Sequence, residues 1–473
     1  MMPFKFVLLW SDALVWLLVA AVIGFALYTR RHPHLRAPWA RVARSASGMA
    51  AATVLAAFVL AGLLDSVHYR AALPQQGGKT AYATEVRSLL DRVLDPLRLT
   101  REKTYSAPLA THLYARETVQ GPDGREARVF PRLRHGGAHL KDPQADWFRD
   151  VALKAFRGLS LGLLLWFVVA IGICAALARG RDAGIETVWR EAWAGRTAVP
   201  WRAVFCAFGL MCVLIGPVAA LAPYYHVLGT DKVGQDVLYQ ALKSIRTGLV
   251  IGTLATLVML PFALVLGLMA GYFKGWIDDA IQYLYTTLSS IPGVLLIAAA
   301  VLMMQVYIEN HAELFPTTEI RADIRLLALC VILGVTSWTG LCRLLRGEAL
   351  KLREMEYIQA AHAFGVSHWR IMMRHITPNV MHIVMIALVM DFSGLVLAEA
   401  VLSYVGVGVD PSMISFGTMI NSARLEMARE PMVWWSLAAA FVFMLTLVLA
   451  ANLFADAVRD AFDPRLLVGG GRP

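Results

Sequence analysis

Apolar residues in this chain come in long uninterrupted blocks, separated by shorter polar and basic stretches. Each block holds about 18–25 mostly apolar residues, which is enough to cross ~30 Å of hydrocarbon as an α-helix. Helices are required because lipid offers the backbone no hydrogen-bond partners. The pattern predicts nine membrane spans, at residues 7–28, 49–66, 158–178, 203–222, 246–272, 279–305, 325–345, 380–403 and 433–456.

The composition agrees with a membrane protein. Of the 473 residues, 58% are hydrophobic and 16% are charged, and the mean hydropathy is +0.57. A soluble domain rarely has enough interior to bury so large an apolar fraction. The first block could be a signal peptide, but Arg30 and Arg31 follow it in place of a small-residue cleavage site. We therefore interpret this block as a span.

The formal net charge of +10 is explained better by membrane topology than by nucleic acid. Membrane proteins concentrate Lys and Arg in their short cytoplasmic loops. Placing three basic loops inside predicts a multi-pass protein of the cell (inner) membrane, with the N-terminus outside and the C-terminus in the cytoplasm. The residues of these loops are Arg30, Arg31, Arg36, Arg41 and Arg44, then Arg179, Arg181, Arg190, Arg196 and Arg202, then Arg343, Arg346, Lys351, Arg353, Arg370 and Arg374.

Residues 67–157 would then face outside, and their pattern predicts a small α+β extracytoplasmic domain. Apolar positions at helical spacing in Thr84–Leu97 predict a helix that Pro96 ends. Two strand-like stretches follow, His112–Val119 and Glu126–Leu133, with a Gly-Pro-Asp-Gly turn sequence between them. We expect a hairpin here, and a poorly ordered loop is the alternative.

The loop between spans seven and eight has the most specific pattern in the chain. Residues 356–364 are good helix formers, and Ala360 and Ala361 are small enough for another surface to approach closely. Gly365 suits a helix terminus that needs a positive φ, and Pro378 then opens span eight. These features predict a helix–turn–helix that lies outside the membrane.

This loop resembles the EAA loop of ABC importer permeases, whose pattern begins Glu-Ala-Ala, three residues, Gly. In that family the loop forms a coupling helix that inserts into a groove of the ATPase subunit and transmits its movement. Most of the pattern matches, but a Gln stands here in place of the first Glu. An ordinary basic inner loop is the alternative. The candidate ATPase-coupling residues are Glu356, Gln359, Ala360, Ala361, Gly365 and Pro378.

Three further stretches resemble the second, C-type, permease of dipeptide, oligopeptide and nickel importers. Leu228–Asp236 resembles the motif LGTDxxGRD, and Glu399–Gly408 resembles EaxLSFLGLG. Phe454–Arg465 resembles LxDxLRDxLDPR. The resemblance covers about residues 200–467 and implies the six-helix core of a type I ABC importer permease.

The Leu228–Asp236 stretch also has a physical interpretation. Its glycines and helix-capping aspartates predict a tight, capped turn at the outer mouth before span five. Such a turn suits a contact for a binding protein or a gate, and it suits an ordinary helix start equally well. The candidate residues of this outer-mouth motif are Gly229, Thr230, Asp231, Gly234 and Asp236.

Two acidic residues lie within span eight, where charge is costly and tends to face a cavity or a partner. Asp391 and Glu399 are separated by about 80° around a helix, so they could face roughly one side. They are therefore candidates for the translocation path. Hydrogen bonding to neighbouring helices is the alternative, and it is favoured for Glu399, which lies near the outer end.

The chain has no GxxxxGK[ST] or HExxH motif and no Cys/His spacing typical of a metal site. We therefore predict no catalytic residues and no metal, and a translocation subunit that is not an enzyme. The resemblance implies that ATP and Mg²⁺ bind to separate ATPase chains. It also implies four kinds of partner: a second homologous permease, two ATP-binding subunits, a soluble substrate-binding protein outside the cell, and membrane lipid.

The predicted fold is an all-α polytopic membrane protein with a small α+β insertion. Its predicted parts are two N-terminal helices in residues 1–66, the extracytoplasmic domain 67–157, a third helix with a basic inner loop in 158–200, and the permease core 201–467 with coupling loop 346–379. The predicted function is ATP-driven import of peptides or similar small solutes. A gradient-driven secondary transporter and a membrane sensor or assembly protein are the alternatives.

Overall fold

The computed structural model describes residues 4–73, 82–120, 126–315 and 317–462, and within them the chain is mostly helical. The helices in chain order are α1 (Trp10–Arg31), α2 (Pro33–Val42), α3 (Ala46–Asp65), α4 (Leu89–Val93), α5 (Asp95–Leu99), α6 (Pro143–Arg179), α7 (Ile185–Trp193), α8 (Trp201–Leu221), α9 (Val237–Phe273), α10 (Gly275–Ser290), α11 (Gly293–Asn310), α12 (Thr318–Ser337), α13 (Thr339–Arg353), α14 (Glu356–Ala363), α15 (His368–Ile371), α16 (Thr377–Val405), α17 (Phe416–Glu426) and α18 (Trp435–Phe462).

Eight helices among the described residues are long and apolar enough to cross a membrane. Helices α12 and α13 add a ninth if this pair, bent by 40°, counts as one span. The predicted all-α polytopic fold is therefore confirmed. The eight are α1, α3, α6, α8, α9, α11, the continuous helix His368–Val405 and α18.

The predicted sixth span, 279–305, is wrong as a single helix. Helix α10 ends at Ser290 and α11 begins at Gly293, so the chain breaks at Ile291 and Pro292. Proline has no backbone N–H to donate and clashes with the preceding turn, which explains the break. Only α11 is long and apolar enough to span.

Span one also begins differently from the prediction. Residues Phe4–Val7 form strand β1, which pairs antiparallel with β2 (His68–Ala71), and β2 pairs with β3 (Arg87–Ser88). Helix α1 therefore starts only at Trp10. Hydrophobicity alone could not separate an extended segment from the first helical turn at this position.

The predicted hairpin is present. Strands β4 (Glu117–Gln120) and β5 (Glu126–Val129) pair antiparallel, and an isolated bridge joins His112 to Arg132. The Gly-Pro-Asp-Gly turn lies outside the described residues. The single helix predicted over Thr84–Leu97 is wrong, because strand β3 and the two short helices α4 and α5 occupy this stretch. Pro96 does not end a helix as predicted: it lies in the first turn of α5, where its missing N–H costs nothing.

The chain forms two compact units. The first combines Met1–Leu8, Ala43–Thr247 and Ile414–Ala450, and the second combines Leu9–Val42, Gly248–Met413 and Ala451–Pro473. Within the first unit, the region from 67 to 157 belongs together with the spans around it. The predicted part boundaries at residues 66, 157 and 200 fall inside that unit and remain predictions.

Helices α6 and α8 of the first unit meet along a seam of glycines. A Cβ atom added to Gly158 would lie 2.3 Å from the carbonyl oxygen of Gly216, and one added to Gly162 would lie 2.4 Å from that of Cys212. Small residues let helix backbones approach closely where lipid provides no hydrophobic driving force. The seam therefore depends on the absence of side chains.

The second unit has a core in which the C-terminal half of α9 packs with α13 and the start of the eighth predicted span. Met259, Leu345 and Ile376 are fully or almost fully buried there. Ile358 of the short helix α14 belongs to the same core. The polar loop that carries α14 is thus attached to a rigid apolar base.

Candidate functional sites

Helix α14 is held by one apolar residue and exposes most of the others. Ile358 is 2% exposed in the core of the second unit, and Ala361 is half-buried against the same core. Glu356, Gln359 and Ala360 are exposed. The predicted helix outside the spans is therefore present, with its small residues on or near an open surface.

The helix ends as predicted, at a glycine with positive φ. Gly365 has φ of +75°, and its N–H donates to the carbonyl of His362 at 3.0 Å. The N–H of Val366 reaches back to the carbonyl of Ala361 at 3.1 Å. This pair of bonds satisfies the last carbonyls of the helix and fixes the direction of the chain that leaves it.

Gln359, which replaces the usual acidic residue, makes a hydrogen bond that a carboxylate could not make. Its Nε2 donates to the backbone carbonyl of Glu354 at 3.2 Å. The same turn is tied down by Arg353, which donates to the carbonyl of Tyr272 at 2.7 Å, and by the Lys274–Glu354 ion pair at 2.7 Å. A glutamate at 359 would have no proton to give to this carbonyl.

A surface cavity of about 320 Å³ opens beside α14. One wall is aromatic: the Tyr272 hydroxyl lies 2.8 Å from Nδ1 of His368. Exposed apolar side chains stand next to it, with Phe364 87% and Trp369 63% exposed. Such a surface outside the spans is typical of a contact with another protein. The cavity is lined by Tyr272, Phe273, Arg353, Glu354, Ile358, Gln359, His362 and His368.

Pro378 lies in the first turn of α16, as predicted, but α16 is not the start of the helical chain. One continuous helix runs over His368–Val405, and a π-helical stretch, Met372–Ile376, precedes the proline. The wider π turn removes the hydrogen bond that a proline would break, so the helix continues through it. Side chains satisfy the freed carbonyls: Thr377 donates to Met372 at 2.9 Å and Asn379 to His375 at 2.6 Å.

The outer-mouth motif forms the tight, capped turn that its sequence predicts. Gly229 and Gly234 both have φ of +73°. One carboxylate oxygen of Asp231 accepts two backbone N–H groups of the turn, at 2.9 and 2.8 Å. Asp236 accepts the N–H of Leu238 at 2.8 Å and so caps the start of α9.

The sequence did not reveal that this turn is covered by the region that we call the outer segment, residues 82–120 and 126–142. The N–H of Glu102 donates to the carbonyl of Gly234 at 2.9 Å. The Glu102 carboxylate accepts the backbone N–H groups of Arg134, His135 and Gly136, at 2.9, 2.8 and 3.1 Å. One buried glutamate therefore joins two parts of the outer segment to the turn.

His226 lies between two buried carboxylates. Its Nδ1 is 2.8 Å from Asp236, whereas its Nε2 is 3.5 Å from Glu102, which is a charge contact and not a hydrogen bond. Burial alone would lower the pKa of His226, but the two carboxylates outweigh it and raise the pKa to about 9. Burial would likewise raise the pKa of Glu102, but His226 and the backbone N–H groups lower it to about 2.

Thr230 is the second point of attachment. Its hydroxyl oxygen accepts the N–H of Ser106 at 2.7 Å, and the hydroxyl donates to the carbonyl of Thr104 at 2.9 Å. Its own carbonyl accepts the indole N–H of Trp435 at 2.9 Å. Thr230 is fully buried as a result. The separation of about 124 residues between Ser106 and Thr230 is why no local pattern indicated the pairing.

The two acidic residues of the eighth predicted span differ in their surroundings. Glu399 is 2% exposed and accepts a hydrogen bond from the Ser403 hydroxyl at 2.6 Å. Asp391 is half-buried, and within the described part of the chain it has no hydrogen-bond partner. Their place on a translocation path remains a prediction.

Residues 263–468 match the family described as "Binding-protein-dependent transport system inner membrane component". The glutathione transport system permease protein GsiD of Pectobacterium atrosepticum is 31% identical over 307 residues, which cover 60% of this chain and 94% of that protein. The chain belongs to this family of ABC importer permeases. It is a permease of the OppC/DppC type, a multi-pass inner-membrane protein and a transmembrane translocation subunit.

Other relatives of this permease have similar names. The oligopeptide transport system permease protein OppC of Mycobacterium tuberculosis is 34% identical over 239 residues, which cover 50% of the chain and 76% of that protein. The dipeptide transport system permease protein DppC of Lactococcus lactis is 27% identical over 240 residues, covering 51% and 64%. Permeases of ABC importers work with ATPase and binding-protein partners, and the candidate coupling residues lie inside the family match.

Proposed function

We propose that this permease imports peptides or similar small solutes, using ATP that is hydrolysed on other chains. It pairs with a second homologous permease and two ATP-binding subunits, and a soluble binding protein delivers the cargo. The relatives support this cargo class, because their names refer to glutathione, oligopeptides and dipeptides. ATP and Mg²⁺ belong to the partner ATPases, and this chain holds no cofactor of its own.

The observation that carries the coupling role is the geometry of α14. The helix is anchored through Ile358, it exposes Ala360, and it is followed directly by the long helix His368–Val405. A push on the exposed face would be passed to the anchored face, because packed interiors transmit displacement. We propose that Glu356, Gln359 and Ala360 meet the ATPase, while Ala361 and Gly365 shape the helix.

The basic loops support an orientation with the N-terminus outside and the C-terminus in the cytoplasm. In that orientation α14 faces the ATPases and the outer segment faces the binding protein. Asp391 is proposed to line the translocation path, since it is the acidic residue of its helix that lacks an internal partner among the described residues. Glu399 is proposed to be structural, because Ser403 binds its carboxylate.

The variant Ala360→Arg tests the coupling role. Ala360 is exposed, so the arginine can be accommodated in the permease alone, but it fills the space that an ATPase would occupy. We expect ATP-driven uptake in proteoliposomes to fall on the order of tenfold or more, as for obstruction at the centre of an interface. Ala360→Ser, which adds one atom, should keep near-normal uptake.

Membrane insertion of both variants is measured in parallel. Normal uptake by Ala360→Arg would contradict the coupling role of α14. Uptake by the wild-type complex that persists without any ATPase subunit would contradict the proposed function as a whole, and would favour a gradient-driven transporter.

A further inference from the structure

We propose that the binding protein docks, through an acidic surface, on a basic patch where the outer segment meets the outer-mouth turn. We call it the outer patch. This inference rests on the proposed function, and it places the docking contact on the exposed tip of the turn and on the segment that covers the buried motif residues. The outer patch consists of Arg101, Lys232, Val233, Arg134 and His135, all of them exposed.

The outer segment covers four of the five motif residues, and Asp231 is half-buried. Thr230 and Asp236 are fully buried. A Cβ atom added to Gly229 would lie 2.5 Å from the carbonyl oxygen of Ser106, and one added to Gly234 would lie 1.9 Å from that of Glu102. No partner can reach these atoms while the outer segment is in place. Glycine is needed at both positions because a side chain there would collide with the outer segment.

Backbone contacts bring the outer patch together from three stretches of chain. Glu102 donates its N–H to Gly234, so its neighbour Arg101 lies beside the tip of the turn, Lys232 and Val233. The Glu102 carboxylate holds the N–H groups of residues 134 and 135, which brings Arg134 and His135 to the same place. The patch therefore exists only in the assembled outer segment and turn.

Three carboxylates of the described residues lie next to the outer patch, and each accepts hydrogen bonds inside the fold. Glu102 and Asp236 face His226, and Asp231 accepts two turn N–H groups and the side-chain amide of Gln240 at 2.7 Å. Arg101, Lys232 and Arg134 have no ion-pair partner among the described residues. With His226, these cations outnumber the three carboxylates, and Glu102 and Asp236 are buried, so the exposed charge is mostly positive.

An exposed apolar residue within the patch indicates the kind of partner. Val233 is 58% exposed and stands among the cations, and an apolar residue ringed by charge is typical of a protein interface. Complementary charge speeds encounter and fixes register, at a strength that falls with salt. An acidic protein surface fits both features. Anionic lipid would use the same cations, and the lipid composition of the test below separates it from a protein partner.

The test uses the complete transporter in nanodiscs and its own binding protein. The patch variant carries Arg101→Glu, Lys232→Glu and Arg134→Glu, and the matched control carries Arg92→Glu and Arg128→Glu, exposed cations elsewhere in the outer segment. We expect the patch variant to bind about tenfold or more weakly, with a flatter dependence on salt, and the control to bind normally. The thermal transition of each variant reports whether it folds.

Equal Kd values for the patch variant, the control and the wild type would overturn the inference. So would a loss of binding that follows the removal of anionic lipid from the nanodisc and not the substitutions. A wild-type transporter that imports cargo without any binding protein would instead contradict the proposed function. The single variant Val233→Asp, which adds charge to the apolar tip without touching the cations, should weaken binding as well, and normal binding by it would count against the inference.

Discussion

His226 is a buried, positively charged residue that helps to hold the outer segment to the turn. It is 3% exposed, and the side chains of Asp236 and Glu102 beside it are 0% and 1% exposed. Breaking such a buried arrangement by removing one partner is costly, about 3–5 kcal/mol, because an uncompensated charge remains. The outer segment is therefore held to the turn by a small number of strong contacts, and its attachment should depend on their protonation.

The attachment of the outer segment should weaken at alkaline pH. The pKa of His226 is raised from 6.5 to about 9, so its stabilisation is complete below about pH 6.5 and is lost as the pH rises through 9. The loss corresponds to about 3 kcal/mol. Limited proteolysis of the outer segment at pH 6.5 and pH 10 measures it, with protease activity matched between the two conditions.

His226→Gln is the control for this measurement, because a neutral amide does not titrate. Its outer segment should be cleaved faster at pH 6.5 and should show little further change at pH 10. The opposite limit follows from Glu102, whose pKa is lowered from 4.5 to about 2: its stabilisation is present above about pH 4.5 and is lost as the pH falls through 2. Equal pH sensitivity of wild type and His226→Gln would contradict this account.

Single residues also show what the sequence could reveal. Gly365 and the two glycines of the turn were predictable, because a glycine at a helix end or in a turn has few other uses. Gln359 was recognised as a departure from the family pattern, but its bond to the Glu354 carbonyl required coordinates. The role of His226 gave no signal, since its partners lie on separate stretches of chain and an isolated histidine has many functions.

The glycine seam between α6 and α8 supports a prediction at the scale of elements. Gly158→Ala should destabilise the pair by about 1–3 kcal/mol, because the added methyl would overlap the Gly216 carbonyl and force the helices apart. Gly172→Ala in the same helix is the matched control, since a Cβ atom there meets nothing within 4 Å. The resistance of detergent-solubilised protein to thermal unfolding measures both. Equal destabilisation by the two variants would contradict the role of the seam, because alanine favours a helix more than glycine does and the control should therefore lose no stability.

Elements were predictable where one physical effect dominates. Lipid imposes long apolar helices, so seven of the nine predicted spans correspond to single apolar helices of the structure. The others involve breaks, at Pro292 and near Trp338. Pro378 was correctly predicted at the start of a helix, but the π-helical stretch that joins this helix to the preceding one left no signal in the sequence. Composition predicts the length of an apolar stretch well. It predicts less well where a helix breaks and the backbone hydrogen bonds change their partners.

At the scale of the whole molecule, the six predicted spans that follow residue 200 and the outer segment depend on different interactions. We predict that a chain lacking residues 82–142 still inserts those spans, because their apolar lengths are independent of the outer segment. The outer-mouth turn should nevertheless open, since Thr230 and Gly234 lose their partners. A Thr230→Cys substitution then becomes reactive towards a membrane-impermeant maleimide, whereas in the full-length chain it stays protected.

Protease protection of the spans is measured in the same sample. Loss of the spans from the membrane would show that the outer segment is needed for insertion. A cysteine at position 230 that labels equally in the full-length and shortened chains would show that the cover described for the turn does not form.

The pairing of residues about 124 positions apart also has a consequence for how the protein is made. The outer segment leaves the ribosome well before the turn does, since α6 and α8 are synthesised between them. During that interval Ser106 and the N–H of Glu102 lack their partners. The outer segment is then incompletely folded, and proteases can cleave it. Chains that stop before residue 226 should be degraded rapidly, whereas chains that reach α9 should survive. Completion of the turn would thus serve the cell as a checkpoint on correct biogenesis.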